Sequence, residues 1–141
     1  MTEMVFAFLE KVGFNHPLHP ALTHLPMGAV MAAFFFVLIG SILKKNEFFV
    51  STTHCLGLGL LTVIPTAIAG YMDWQHSFDG EWETAIIIKI ILAILLTLFL
   101  ALAFNVSRKQ NTKKTSLLVL IGCCLACAIG LGFTGGELLY G

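Results

Sequence analysis

Four long apolar stretches, joined by short polar segments, dominate the hydrophobic pattern of the chain. At about 1.5 Å per residue, each is long enough to cross a hydrocarbon core of about 30 Å. Their backbone must satisfy its own hydrogen bonds in lipid, which favours helix. They lack the polar outer face that helices of a soluble bundle need. The pattern therefore predicts an all-α antiparallel bundle of four transmembrane helices, over residues 21–43, 48–71, 82–106 and 116–134.

The N-terminal residues 1–14 show a shorter amphipathic pattern, in which Glu10 and Lys11 interrupt apolar positions. Such a segment is typical of a helix that lies in the membrane interface. A frayed terminus is the alternative interpretation.

The charges of the chain are few and unevenly placed. Only 11% of the residues are charged, against about 25% in soluble domains. The positive-inside rule predicts that the two basic connections are cytoplasmic, and that both termini and the connection over residues 72–82 lie on the non-cytoplasmic side. The four apolar spans make the lipid bilayer the expected partner. No basic cluster alternates with exposed aromatics, so nucleic acid is not expected as a partner. The basic connections contain Lys44, Lys45, Arg108, Lys109, Lys113 and Lys114.

Small residues recur every four positions in the fourth span, at Gly122, Ala126 and Gly130, and in the second span at Thr66 and Gly70. Such stripes let helix backbones approach closely. A flat ligand such as a porphyrin, lying against the stripe, is the functional alternative.

Three histidines, His16, His19 and His24, lie close together at the start of the first span. Pro17 and Pro20 disfavour helical backbone at the residues before them, and Pro20 suits the first helical position. The sequence therefore predicts that His19 precedes the helix and that His24 lies about one turn inside it.

Pro26 follows within the same span. Because proline has no N–H to donate to the carbonyl of Leu22, a free acceptor is predicted near His24.

A fourth histidine, His76, follows the second span and shares the predicted outer face with the other three. Imidazoles at that depth need partners, so either ligation or a network of hydrogen bonds is expected. His54 lies about 33 Å from His76 along a helix and cannot share their site. We interpret His54 as a packed or hydrogen-bonded residue.

One cation, Lys89, lies within the third span. Its ammonium can reach the outer surface, where an outer carboxylate or an anionic ligand group would pair with it. The glycines at 135 and 136 are predicted to end the fourth helix and to bring Glu137 back over the outer face. The carboxylates within its reach are Asp73, Glu81 and Glu137.

Three motifs of the chain resemble a bacterial membrane family catalogued as domain of unknown function twenty-two thirty-one. The resemblance covers nearly the whole chain and implies a four-helix protein of the bacterial inner membrane. Members that resemble this chain occur fused or adjacent to Rieske and cytochrome modules, which implies electron transfer. The chain departs from four-helix cytochromes with two haems, which have paired histidines towards both faces, because only His54 is predicted inside. The motifs are His16-Pro-Leu-His-Pro-Ala-Leu-Thr-His24-Leu-Pro, Gly70-Tyr-Met-Asp-Trp74-Gln-His76 and Gly135-Gly-Glu-Leu-Leu-Tyr140.

The leading hypothesis is a b-type haem protein that acts in electron transfer or quinone-linked redox. Its axial ligands would come from His24 and His76, at similar depth on neighbouring spans, with His19 as the substitute for either. Neutral imidazole suits iron, and Lys89 suits a haem propionate.

Two alternatives stay open. One is a zinc or copper site for transport or sensing; the other is a membrane anchor without a cofactor. No nucleophile–base pair occurs, so no catalytic residue is assigned and an enzyme activity of its own is not expected. A redox partner protein, a quinone or a homo-oligomer is compatible with these hypotheses. The metal ligands would come from His16, His19, His24 and His76 with Asp73 or Glu137.

Overall fold

The computed structural model describes residues 2–11, 13, 18–77, 82–109 and 113–140. Its helices are α1 (Thr2–Lys11), α2 (Leu18–Leu43), α3 (Asn46–Ser77), α4 (Thr84–Ser107) and α5 (Lys114–Tyr140). Within the described residues, α2, α3, α4 and α5 are each long and apolar enough to span a membrane. The predicted all-α, four-span membrane fold is confirmed.

The four spans form a closed ring. α2 packs on α3 and α5, and α4 packs on the same two helices, whereas in the described residues the backbones of diagonally opposite spans do not come within 8 Å of each other, Cα to Cα. The start of α2 meets the end of α3, and the start of α4 meets the end of α5, so neighbours run antiparallel. We call the end where α2 and α4 begin the terminal end, and the opposite end the basic end.

The buried faces of the spans repeat at alternating steps of three and four residues, which is the spacing of left-handed helix bundles. The outward faces carry large exposed apolar side chains such as Met31, Phe35 and Ile64, which suit lipid contact. The inward positions are Pro26, Val30, Ala33 and Val37 in α2, Thr52, Leu56, Gly59, Val63 and Thr66 in α3, Ile86, Lys89, Ala93, Leu96, Leu100 and Ala103 in α4, and Leu117, Ile121, Cys124, Ala128 and Leu131 in α5.

The helix boundaries at the terminal end differ from the predicted ones. α2 begins at Leu18, so the prediction that His19 precedes the helix was wrong. Pro20 then lies in the first turn of α2. Proline has no backbone N–H, and in the first turn this costs no hydrogen bond because the N–H groups there have no acceptor within the helix. α3 continues to Ser77, so the segment from Met72 to His76, predicted as a connection, is helical.

The glycine pair near the C-terminus does not end the last span. α5 continues through Gly135 and Gly136 to Tyr140, so the predicted stop was wrong. Glycine disfavours an exposed helix by only about 1 kcal/mol relative to alanine. Near a membrane, where water competes less for backbone hydrogen bonds, that penalty does not break the helix.

Aromatic rings join α3 to the start of α4 at the terminal end. The ring centroids of Trp74 and Trp82 lie 4.6 Å apart, and those of Tyr71 and Trp74 lie 6.0 Å apart. Tyr71 and Trp82 are exposed. Exposed tyrosine and tryptophan rings at a helix end are typical of the membrane interface.

Candidate functional site

The inward faces of the spans become polar at the terminal end. His19 on α2, Asp73 on α3 and Lys89 on α4 continue the three-and-four spacing of the apolar positions, and Gly135 does so on α5. Each span thus contributes one residue to a layer that we call the polar layer.

The imidazole of His19 is held in one orientation by the main chain of α3. Its Nδ1 lies 3.0 Å from the carbonyl oxygen of Thr66. A carbonyl can only accept, so Nδ1 donates a hydrogen and the neutral ring keeps its lone pair on Nε2. The main-chain N–H of His19 donates to Oδ2 of Asp73 at 2.7 Å.

Close packing against Gly70 adds to these bonds. A Cβ atom built on Gly70 would lie 2.9 Å from Nδ1 of His19 and 3.1 Å from its Cε1. The ring therefore occupies the space that any side chain at this position would need. Glycine at 70 lets the imidazole approach the α3 backbone closely enough to reach the Thr66 carbonyl.

Thr66 also connects the two helices through its hydroxyl group. Its Oγ1 lies 3.2 Å from the carbonyl oxygen of Leu22 and 2.8 Å from that of Thr62, and its one hydrogen is shared between these two acceptors. The Leu22 carbonyl is the acceptor that Pro26 leaves free within α2. The predicted free acceptor is thus used by α3, one turn inside the polar layer.

Lys89 is half-buried on the inward face of α4, and lies close enough to Asp73 and His19 for charge interactions with both. Asp73, 5% exposed, was one of its three predicted partners. The side chains of the other two, Glu81 and Glu137, lie outside the described residues. Nζ lies 4.0 Å from the position of a Cβ on Gly135.

Two polar atoms of this layer have no hydrogen-bond partner among the described residues. In the described part of the chain, neither Nε2 of His19 nor Nζ of Lys89 has a hydrogen-bond partner. Every buried side-chain nitrogen or oxygen in that same part does have one. Neither atom is therefore fully enclosed by the described residues, and each keeps an unused position for a ligand.

Where α5 faces Lys89, the nearest described residue is a glycine without a side chain. A Cβ built on Gly136 would meet nothing within 4 Å, and one on Gly135 would have Nζ of Lys89, at 4.0 Å, as its nearest neighbour. The surface at Gly135 therefore leaves room next to the ammonium.

The other predicted site residues lie elsewhere. His24 is exposed on α2, about 140° around the helix from His19 at 3.6 residues per turn. His76 is half-buried near the end of α3, and His54 is exposed on the same helix rather than packed. His16 and the side chain of Glu137 fall outside the described residues.

No three or more histidine, cysteine, aspartate or glutamate side chains of the described segments are grouped so that they could hold a metal ion. The structure brings together His19, Asp73 and Lys89 among the predicted residues. It adds Thr66 and Gly70, which the sequence had marked only as a stripe of small residues.

Residues 15–141 match the model of a family described as "Predicted membrane protein (DUF2231)". Comparisons with curated proteins and with solved structures gave no match. The family description gives a membrane location and no activity, so the chemistry has to be argued from the polar layer.

Proposed function

Since this chain belongs to the DUF2231 family of predicted membrane proteins, we propose a function within a membrane: the protein binds b-type haem with Nε2 of His19 as an axial ligand, and acts in electron transfer. The proposal places it in the bacterial inner membrane with the terminal end outside. The single observation that carries it is the hydrogen bond from Nδ1 of His19 to the carbonyl of Thr66.

That bond is the arrangement expected of a ligating histidine. Imidazoles that bind metals almost always donate their other ring N–H to a carbonyl or carboxylate, which fixes the tautomer and the ring orientation. In His19 the bond is reinforced by the close approach to Gly70. The lone pair on Nε2 is thus oriented before any ligand binds.

The number of available donors favours haem over a bare metal ion. Zinc in proteins usually takes three or four protein ligands, and the described residues hold no group of three. Haem brings its own four nitrogen donors and needs only axial ligands from the protein. The zinc or copper alternative depends on His16 or on the side chain of Glu137, which are outside the described part of the chain.

The residues of the layer fit such a group in two respects. Nε2 of His19 offers a neutral donor, and the backbone surface at Gly135 offers space beside Lys89 in the same layer. His19 takes the role first predicted for His24, and His76 stays the candidate for a second axial position. When bound, haem supplies one-electron redox chemistry, and its electrons would be exchanged with a partner protein or a quinone.

Visible spectroscopy of protein expressed with ample haem tests this proposal. The wild type is expected to show a Soret band and His19→Gly to lose it. Added imidazole should restore the band, because it replaces the missing ring without a covalent link. His24→Ala and His54→Ala are the matched controls and should keep the band.

A colourless wild type, or a His19→Gly variant with an unchanged Soret band, would contradict the proposal. Metal analysis of a colourless wild type then separates the remaining hypotheses. Zinc or copper that is lost in His19→Gly supports the metal site, and the absence of both supports an anchor without a cofactor.

A further inference from the structure

The ammonium of Lys89 has N–H groups for which the described residues provide no acceptor. In the described segments it has no hydrogen-bond or ion-pair partner, although Asp73 attracts it electrostatically. Oδ2 of Asp73 already accepts the N–H of His19 at 2.7 Å. A half-buried cation in a membrane span is costly unless it is paired. An acceptor that the described residues do not supply would complete its coordination.

The position of Lys89 along α4 indicates where such an acceptor would come from. Lys89 is five residues beyond Thr84, the first residue of α4, or about 7.5 Å along the helix axis. A lysine side chain extends outward from that depth to the interface. The exposed rings of Tyr71 and Trp82 lie at the same end of the bundle. The ammonium therefore reaches the level at which membrane amphiphiles carry their charged groups.

The neighbouring helix leaves room for a ligand at that level. Gly135 presents only backbone towards Nζ of Lys89, and a side chain at Gly136 would meet nothing within 4 Å. A ligand group can thus approach Nζ along α5 without displacing a side chain of the described residues.

We propose that Lys89 binds an anionic oxygen group, a carboxylate or a phosphate, carried by an amphiphile in the membrane. Where the amphiphile is haem, the inference rests on the proposed function, and the group is a propionate. Where it is an anionic phospholipid, the inference stands without haem. Both sources offer the same chemistry, in which a charged oxygen accepts hydrogen bonds from the ammonium.

Two binding experiments on the full-length protein test this site. In the lipid experiment, native mass spectrometry compares retained phosphatidylglycerol with phosphatidylcholine. In the haem experiment, titration compares haem with its dimethyl ester, which lacks both carboxylate charges. In at least one experiment the wild type should prefer the charged ligand. Lys89→Gln should reduce that preference about tenfold, as for the loss of one charge-assisted hydrogen bond.

Three further variants separate this site from general charge effects. Lys89→Arg should keep the preference, because it keeps a cationic donor. Gly135→Leu should reduce it with the lysine intact, because its side chain fills the space beside Nζ. Lys113→Gln, at the basic end, should leave it unchanged.

If Lys89→Gln alters neither preference, or if Lys113→Gln alters them equally, the inference is overturned. It is also overturned if the wild type prefers the charged ligand in neither experiment. A protein that binds no haem refutes the proposed function, and the lipid experiment alone then decides whether Lys89 binds an anion. Should Lys89→Gln fail to fold, Gly135→Leu and Lys113→Gln decide the same question.

Discussion

The main-chain nitrogen of His19 and Oδ2 of Asp73 lie 2.7 Å apart, so a carboxylate on α3 caps the first turn of α2. No acidic residue in the first turn of α2 itself performs this role. The N–H groups that begin a helix lack acceptors within it, and a carboxylate also complements the helix dipole. One side chain thus joins two spans and positions the backbone of the histidine.

Replacement of Asp73 should therefore destabilise the bundle. We expect Asp73→Ala to lower the free energy of unfolding by about 1.5–3 kcal/mol, the range for hydrogen bonds to charged groups. Asp73→Asn should have a smaller effect because it keeps an acceptor oxygen. Unfolding in detergent micelles measures both. Glu83→Ala is a matched control, since Glu83 precedes α4 without a capping hydrogen bond from its side chain. Equal effects at both positions would refute the capping role.

A methyl group at Gly70 should displace the imidazole. The added Cβ would lie 2.9 Å from Nδ1 of His19, so we expect Gly70→Ala to break the bond to Thr66 and to cost about 1–3 kcal/mol through overpacking. Gly122→Ala is the control, because a Cβ there meets nothing within 4 Å. Alanine there should be neutral or stabilise the helix by up to about 1 kcal/mol. Thermal unfolding of the two variants checks the contrast, and similar midpoints would contradict it.

The hydroxyl of Thr66 should be coupled energetically to Pro26. Thr66→Val removes the donor to the Leu22 carbonyl and should cost about 0.6 kcal/mol, the average for interhelical hydrogen bonds in membranes. Pro26→Ala restores an N–H that can serve the same carbonyl. In that background Thr66→Val should cost less, and a double-mutant cycle measures the difference. Strictly additive effects would exclude a shared acceptor.

The orientation in the membrane remains a prediction from the charges. Reporter fusions after Asn46 and after Asn111 should report the cytoplasm, and a fusion after Gly141 the outside, because the basic residues at these connections disfavour translocation. At the basic end, Nζ of Lys114 lies 4.5 Å from the ring centroid of Phe49. A periplasmic signal from either connection would reverse the orientation of the polar layer.

The hydrophobic pattern of the sequence was sufficient to predict the four spans. It was not sufficient to predict where the helices begin and end at the polar layer. Hydrophobic length predicts a membrane helix because lipid leaves the backbone no other partner. The exact start of α2 depends on Asp73, a residue distant in sequence that accepts the N–H of His19. Local proline preferences do not include such a tertiary bond, so they placed His19 outside the helix.

The same limitation applies to the histidines. The sequence ranked His24 and His76 first because both lie near span ends, but depth alone does not give the direction of a side chain. The three-and-four spacing of the inward positions gives this direction. His19 continues the inward series of α2 through Thr23 and Pro26, whereas His24 does not. Extending the core spacing outwards to the first titratable residue would have selected His19, Asp73 and Lys89 together.

The closed ring of spans also divides the polar layer between two halves of the chain. α2 packs most extensively on α3, and α4 on α5. The first pair holds the complete set of contacts that orient the imidazole, and the second pair contributes the lysine and the glycine surface. The residues that orient the histidine are therefore all synthesised before Lys89. Two fragments produced separately, with the break between α3 and α4, should therefore carry half a site each and regain the whole only by complementation.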